Sequence, residues 1–384
     1  MIKKHELLNF DVPLFVAVLV LSVIGVIIVT SASLPYTVDS FSELVQAISE
    51  MRVNYFSRQL TWVGVGVFLM LFMCTFDYRD LGRLSVLIYI VNLGLLLMVI
   101  FAGQEAMGAQ RWVQIGFFRL QPSEFAKIAI TITLAKYISR EDVKLNNLTD
   151  LIVPGIHVGI PMLLIFLQPD LGTSLVFSAI VFSMVFAAGL KWRHILICVG
   201  TGVLGAVFAF FKVLSDYQRS RLIVFTDPEA HYLGAGFQVI QSKIAVGAGG
   251  ISDGSLWGKG LFQGTQSKLN FLPEAQTDFV YSVIAEEMGM IGAVLVLFLF
   301  LFIIYRILVI AVQADTFGTY ICVGIAAIMS FQLLVNVGMT LSMMPVTGIP
   351  LPFITYGGST FLSSALGIGL VLNIGMRKEK ETLF

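Results

Sequence analysis

Long apolar runs alternate with short polar breaks along nearly the whole chain. Runs near 13–32, 60–75, 84–102, 123–138, 151–167, 172–190, 195–211, 279–305, 318–340 and 360–375 each suit a helix that crosses a bilayer. Within each run the apolar positions are continuous rather than alternating. An open sheet cannot cross a bilayer, so strands are set aside. The pattern predicts an all-α polytopic membrane protein of about ten transmembrane helices, with one integral membrane domain over 1–384. The first run, from Pro13 to about Ala32, is long enough to span and lacks a convincing cleavage site, so no cleavable signal is expected.

Lys and Arg orient these spans. With the N-terminus inside, the inner segments hold Lys3, Lys4, Arg79, Arg83, Lys136, Arg140, Lys144, Lys191, Arg193, Arg306, Arg377, Lys378 and Lys380. The short outer loops hold only Arg52, Arg58, Arg111 and Arg119. This asymmetry predicts both termini in the cytoplasm. The loops near 33–59, 103–122, 212–278 and 341–359 then share the outer face. The inner loops are short, so any chemistry belongs to the membrane and its outer side.

Composition agrees with this reading. The chain is 57% hydrophobic and 12% charged, with a mean hydropathy of +0.89. Cys74, Cys198 and Cys322 lie inside apolar runs, without metal-ligand spacing, and read as small buried hydrophobes.

The loop at 212–278, between the seventh and eighth spans, breaks the hydropathy pattern with Asp216, Arg219, Arg221, Asp227, Glu229, Lys243, Asp253, Lys259, Lys268, Glu274 and Asp278. Gly234 to Ile251 carries Phe237, Val239, Ile240, Ile244 and Val246, a pattern that predicts an interfacial amphipathic helix. A glycine-rich stretch follows, Gly247-Ala-Gly-Gly-Ile-Ser-Asp-Gly254, then Gly258-Lys-Gly-Leu-Phe-Gln-Gly264. Such backbone can approach an anion closely, with a nearby Lys as point charge, or it can simply be a turning surface loop. Gly254 to Lys259 lacks the spacing and the following hydroxyl of a nucleotide P-loop. The loop closes on Phe271-Leu-Pro-Glu-Ala-Gln-Thr-Asp-Phe279, where Glu274 and Asp278 meet the start of the next span. A carboxylate at that junction can reach both water and a lipid-linked substrate. Glu286 and Glu287 follow eight and nine residues later.

Other charges sit beside the spans. Gln121-Pro-Ser-Glu-Phe-Ala-Lys127 opens the fourth, with Glu124 and Lys127 on one helix face. That pair either fixes helix packing or lines a cavity. Asp170, in Gln168-Pro-Asp-Leu-Gly-Thr173, caps a helix or partners an outer-face cation. The last outer loop, Met343 to Thr360, is dense in Pro and Gly, so a shaped non-helical insert is expected there. Its Tyr356-Gly-Gly-Ser359 end could hold an anion at a helix start or act as a packing plug.

Taken together, these segments resemble the SEDS family (shape, elongation, division and sporulation), whose members are RodA-like and FtsW-like peptidoglycan glycosyltransferases. The resemblance spans nearly the whole chain. It rests on Arg111-Trp112, Gln121-Pro-Ser-Glu-Phe-Ala-Lys127, Gln168-Pro-Asp-Leu-Gly-Thr173, Pro273-Glu-Ala-Gln-Thr-Asp-Phe279 with Glu286-Glu287, and Pro345-Val-Thr-Gly-Ile-Pro-Leu-Pro-Phe353 running into Tyr356-Gly-Gly-Ser359. Val346-Thr-Gly-Ile-Pro-Leu-Pro looks like the RodA, or elongation, branch.

The resemblance implies polymerisation of lipid II, an undecaprenyl-pyrophosphate-linked disaccharide-pentapeptide, on the outer face of a bacterial plasma membrane, for cell elongation and rod shape. It places the essential carboxylate at Asp278, as general base. The candidate binding or cavity residues are Arg111, Glu124, Lys127, Asp170, Lys243, Lys259, Lys268, Glu274, Thr277, Thr347 and Ser359. A divalent cation, Mg²⁺ or Mn²⁺, is expected to help, with Asp278 as its possible ligand; neither an organic cofactor nor nucleic acid is expected. The implied partners are a class B penicillin-binding protein, a transpeptidase, and the elongation machinery. A lipid-precursor flippase or transporter and a non-catalytic scaffold of the cell-wall machinery are the competing classes.

Overall fold

A computed structural model describes residues 8–50, 54–106, 109–115, 118–214, 216–230, 232, 235–250, 256–269 and 271–377. Gly234, residues 251–255 of the glycine-rich stretch, Arg52, and the terminal Lys3, Lys4, Lys378 and Lys380 lie outside the described residues.

In chain order the helices before the first outer sheet are α1 (Val12–Ser33), α2 (Phe41–Glu50), α3 (Tyr55–Met73), α4 (Arg79–Arg83) and α5 (Ser85–Ala102). The strands β1 (Gln104–Ala106), β2 (Ala109–Ile115) and β3 (Phe118–Leu120) follow. Then come α6 (Pro122–Ile138), α7 (Ile152–Phe166), α8 (Leu171–Ala187), α9 (Trp192–Lys212), α10 (Asp216–Thr226), α11 (Ala235–Ala248), α12 (Thr265–Lys268), α13 (Val280–Val312), α14 (Thr316–Thr340) and α15 (Gly358–Met376). Among the described residues eight of these helices are long and apolar enough to cross a membrane: α1, α3, α5, α7 with the 3-10 turn before it, α9, α13, α14 and α15. The two remaining predicted runs hold α6 and α8, of 17 residues each. The chain is an integral membrane protein.

Several helix starts follow from local chemistry. Asp11, Asn54, Asp170 and Asp315 accept the N–H of the residue three positions on, at 3.0, 2.9, 3.1 and 2.8 Å. Pro13 and Pro122 stand in first turns, where a missing N–H costs nothing. The centre of the bundle is α14 and α15, with 72% and 94% of their spanning windows buried. Small residues let the backbones close up there. A Cβ on Gly369 would stand 2.9 Å from the Met70 Cα, and one on Gly25 2.7 Å from the Ile354 Cα. None of the spanning window of α9 is buried.

The two ends of the bundle differ. One end holds both described termini and a few ion pairs: Asp11 with Arg306 at 2.5 Å, and Asp315 with Arg79 at 3.2 Å and the Tyr78 hydroxyl at 2.8 Å. The other end carries α2, the sheet, the long loop with α10 to α12, and the Pro-rich insert after α14.

Setting strands aside was wrong for the loop at 103–122. Among the described residues it forms a three-stranded antiparallel sheet in the order β1-β2-β3. The bilayer argument does not reach a loop outside the hydrocarbon, where Val113 and Ile115 alternate with Gln114 at strand period. Two run boundaries also move. α3 begins at Tyr55 rather than near 60, and α13 extends to Val312 rather than near 305. The amphipathic helix expected over 234–251 is α11.

α13 is two helical pieces. At Gly289 the backbone leaves the helix, with φ 64° and ψ −163°, a conformation that suits a residue without a Cβ. The loop backbone at Gly258 lies directly against this break.

Candidate active site

Asp278 ends the long loop, two residues before α13 begins. Its backbone carbonyl accepts from the Asn336 amide of α14 at 3.2 Å, and the same amide donates to the Ile349 carbonyl at 2.8 Å. One buried side chain therefore pins the carboxylate-bearing turn to the last outer loop. A second tie is the Tyr356 N–H, which donates to the Gln276 carbonyl at 3.0 Å.

The Asp278 side chain is recessed beneath Gly348, whose φ is 71°. A Cβ on Gly348 would stand 3.5 Å from one Asp278 oxygen and 3.8 Å from an Arg221 nitrogen, so those two groups lie close together under this glycine. Arg221 comes from α10 and also donates to the Val346 carbonyl at 3.4 Å. Among the described residues no donor reaches the Asp278 carboxylate within hydrogen-bonding distance. Burial pushes its carboxyl up to about 6; Arg221 pulls the other way, Glu274 adds to the rise, and Arg111 opposes it more weakly. A carboxylate held this way is ionised near neutrality yet basic enough to take a proton.

A groove opens beside it, lined by Arg111 and Arg221 with Pro169, Leu171, Pro345 and Thr347 among others. Arg111 rises from β2 and donates to the carbonyls of Gln168 and Pro169, with Asp170 at 3.8 Å. Asp170 also caps α8 and accepts from the Thr173 hydroxyl at 2.9 Å. Beside this groove the Thr347 hydroxyl is buried and, among the described residues, has no hydrogen-bond partner. Two guanidinium groups next to a carboxylate can hold a pyrophosphate while a proton moves nearby.

The structure brings Arg111, Asp170, Glu274, Thr277 and Thr347 to the surroundings of Asp278, and places the other candidates elsewhere. Thr277 donates to Glu274 at 3.0 Å and stiffens the turn before Asp278. Glu124 and Lys127 form a buried pair at 2.9 Å inside α6, and Ser363 donates to Glu124. Ser359 joins α15 to the sheet, accepting from the Gln121 N–H at 3.0 Å and donating to the Arg119 carbonyl at 3.2 Å. Lys243 is exposed on α11. Lys259 and Lys268 pair with Glu286 and Glu287 at 2.7 and 3.2 Å, so their charges are already matched within the chain.

Arg221 and Asn336 were missed as site residues. Arg221 stood in the sequence as one charge among many in a long loop. Asn336 is a polar residue inside an apolar run, and that cost in a membrane helix was the available signal.

The cell cycle protein family of FtsW, RodA and SpoVE matches residues 12–380. The chain belongs to this family. Peptidoglycan glycosyltransferase MrdB of Escherichia coli is 38% identical over 335 residues, covering 86% of this chain and 88% of that protein. A chain from a peptidoglycan synthase complex that coordinates polymerization and crosslinking superposes with a TM-score of 0.77 at 32% identity, covering 95% of this chain and 97% of that one. The rod shape determining protein RodA of Thermus thermophilus gives a TM-score of 0.67 at 27% identity, over 97% and 98%. The cell cycle protein match spans every element that builds the Asp278 site.

Proposed function

We propose that this protein is a peptidoglycan glycosyltransferase that polymerises lipid II, serves cell elongation and rod shape, and uses Asp278 as general base. The observation that carries the reading is the recessed Asp278 carboxylate beside a groove lined by two arginines. The GlcNAc 4-hydroxyl of one lipid II attacks the MurNAc anomeric carbon of the growing strand. Asp278 accepts the hydroxyl proton as the new C–O bond forms, and the bond from the anomeric carbon to the pyrophosphate oxygen breaks. The electron pair leaves with the lipid pyrophosphate, whose growing charge Arg111 and Arg221 hold. Arg111 is set for this by its carbonyl contacts and by Asp170. A single displacement needs one base, so a second catalytic carboxylate is not required.

Asp278 and Glu274 would hold a Mg²⁺ or Mn²⁺ ion in the way such ions are commonly bound, through one or two carboxylates with substrate phosphate and water. That ion would supply extra positive charge at the pyrophosphate. Among the described residues no cluster of three or more acidic, His or Cys side chains gathers there, and Arg221 beside Asp278 works against a bound cation. The site is proposed to face the outer side of a bacterial plasma membrane, at the end of the bundle opposite both termini, with a class B penicillin-binding protein as transpeptidase partner.

The test is a gel assay of glycan polymer from pure lipid II. Wild type and Asp278→Asn are compared in detergent, with and without the cognate transpeptidase and Mn²⁺. Polymer from wild type alone supports the reading. Normal polymer from a folded Asp278→Asn sinks the base assignment, and no polymer from any folded sample favours a flippase or scaffold.

A further inference from the structure

The helical piece that follows Asp278 is cut off from its own spanning helix. Gly289 breaks α13, so Val280–Met288 does not inherit its position from the long membrane segment Met290–Val312. Something else must fix it, and two fully buried carboxylates at its end do so.

Glu286 accepts from the Lys259 ammonium at 2.7 Å, the Thr265 N–H at 2.8 Å, the Thr265 hydroxyl at 3.1 Å and the Gln266 N–H at 3.2 Å. Glu287 accepts from the Ser31 hydroxyl of α1 at 2.6 Å, the Phe262 N–H at 3.1 Å, and the Gly264 N–H and Lys268 ammonium, each at 3.2 Å. The two residues are 0% and 1% exposed. The backbone closes the same joint: the Lys259 and Gly260 N–H groups donate to the Glu286 and Glu287 carbonyls, each at 3.0 Å. A Cβ on Gly264 would lie 2.8 Å from a Glu287 oxygen, so the loop fits closely around the carboxylates.

We infer that Glu286 and Glu287, with Lys259 and Lys268, form a clasp whose role in catalysis is to position Asp278, by docking the short helix Val280–Met288 onto the 256–268 loop and α1 independently of the rest of α13. This rests on the reading of Asp278 as the base. The clasp residues are positioning residues, since none of them lines the arginine groove. Ser242 joins Ser282 of the same piece to the Thr340 carbonyl, and Asn336 holds the Asp278 carbonyl just before it. Loosening the clasp tilts Asp278 relative to the groove without removing the groove. The expected signature is therefore a loss of turnover with substrate binding retained, because a misplacement of about 1 Å can cost about a hundredfold in rate.

The experiment is steady-state polymerisation of lipid II by the full-length protein carrying Glu287→Gln or Lys259→Met, with thermal unfolding measured alongside. Lys259 sits at the partly exposed rim of the clasp, so that variant keeps the test open if Glu287→Gln does not fold. Both folded variants are expected to lose about tenfold or more in kcat, with KM for lipid II within about twofold of wild type. Wild-type kcat in a folded variant overturns the clasp, as does a defect confined to KM. Asp278→Asn is run in parallel. If it retains wild-type activity, the base reading fails. If it is inactive while the clasp variants keep their kcat, the clasp proposal alone fails.

Discussion

Asp278 and the Glu286–Glu287 pair are carboxylates within ten residues of each other, yet their surroundings are opposites. Each glutamate is saturated by backbone N–H groups, a hydroxyl and a lysine. Asp278 has nearby guanidinium charge but no donor on its oxygens among the described residues, and its carboxyl is pushed up to about 6. A saturated carboxylate has nowhere to put an incoming proton and serves as an anchor. An unsaturated one, recessed but facing cations, is the kind of group that can take up a proton. The difference sets the proposed base apart from the two anchors, which residue type alone does not.

The sharpest way to break this contrast is to remove one charge at a time. Asp278→Asn should abolish polymer, by at least about a hundredfold, since a positioned base is worth that much or more. The fold should survive. The raised Asp278 value means that the folded state prefers the protonated carboxyl: that stabilisation is fully present below the unfolded value of 3.8 and is lost as pH rises through about 6. At pH 7.5 the Asn variant should therefore melt no lower than wild type. A clearly lower melting temperature would put Asp278 with the anchors.

Lys127→Met probes an anchor away from the site. It leaves Glu124 unpaired in low dielectric and should destabilise the protein by about 3–5 kcal/mol. Thermal unfolding in detergent reads this directly, and an unchanged melting point would show that Glu124 finds other partners.

A smaller effect sharpens the assignment of Arg221. Arg221 favours the charged form of Asp278, so Arg221→Gln should move the acid limb of the rate profile upward, toward neutral pH. Rates should fall several-fold near pH 6.5 and recover in part at higher pH, apart from the lost leaving-group contact. A limb that stays near 6 would detach Arg221 from the base. The smallest expected change is Lys243→Ala. This exposed residue of α11 should leave rate and stability within a factor of about two of wild type.

The membrane spans were legible because twenty apolar residues in a row admit few other structures. Glu274 and Asp278 stood out as candidates because carboxylates at a loop–span junction are costly, while the choice of Asp278 came from the family resemblance. The partners of the lysines were not. Lys259 and Lys268 read as phosphate holders beside glycines, but Glu286 and Glu287 take them across 27 and 19 residues of chain. Nothing periodic marks a pairing made through a folded-back loop. The sheet at 104–120 escaped for a related reason: its strands are short, and their alternation was read against a rule that governs only the hydrocarbon. Gly289 looked like one more glycine in a spanning helix, where a break shows only in the backbone angles.

The glycine contacts of α15 carry a consequence for handling the protein. Where Gly369 meets Met70, attraction comes from atoms in van der Waals contact, and expulsion of water contributes little in a medium that is already oily. Such a seam is indifferent to which amphiphile surrounds it and should pass unchanged from bilayer to micelle. α9, none of whose spanning window is fully buried, shows no such seam among the described residues. The surrounding amphiphile is its main neighbour, so a change of detergent is, for α9, a change of packing partner.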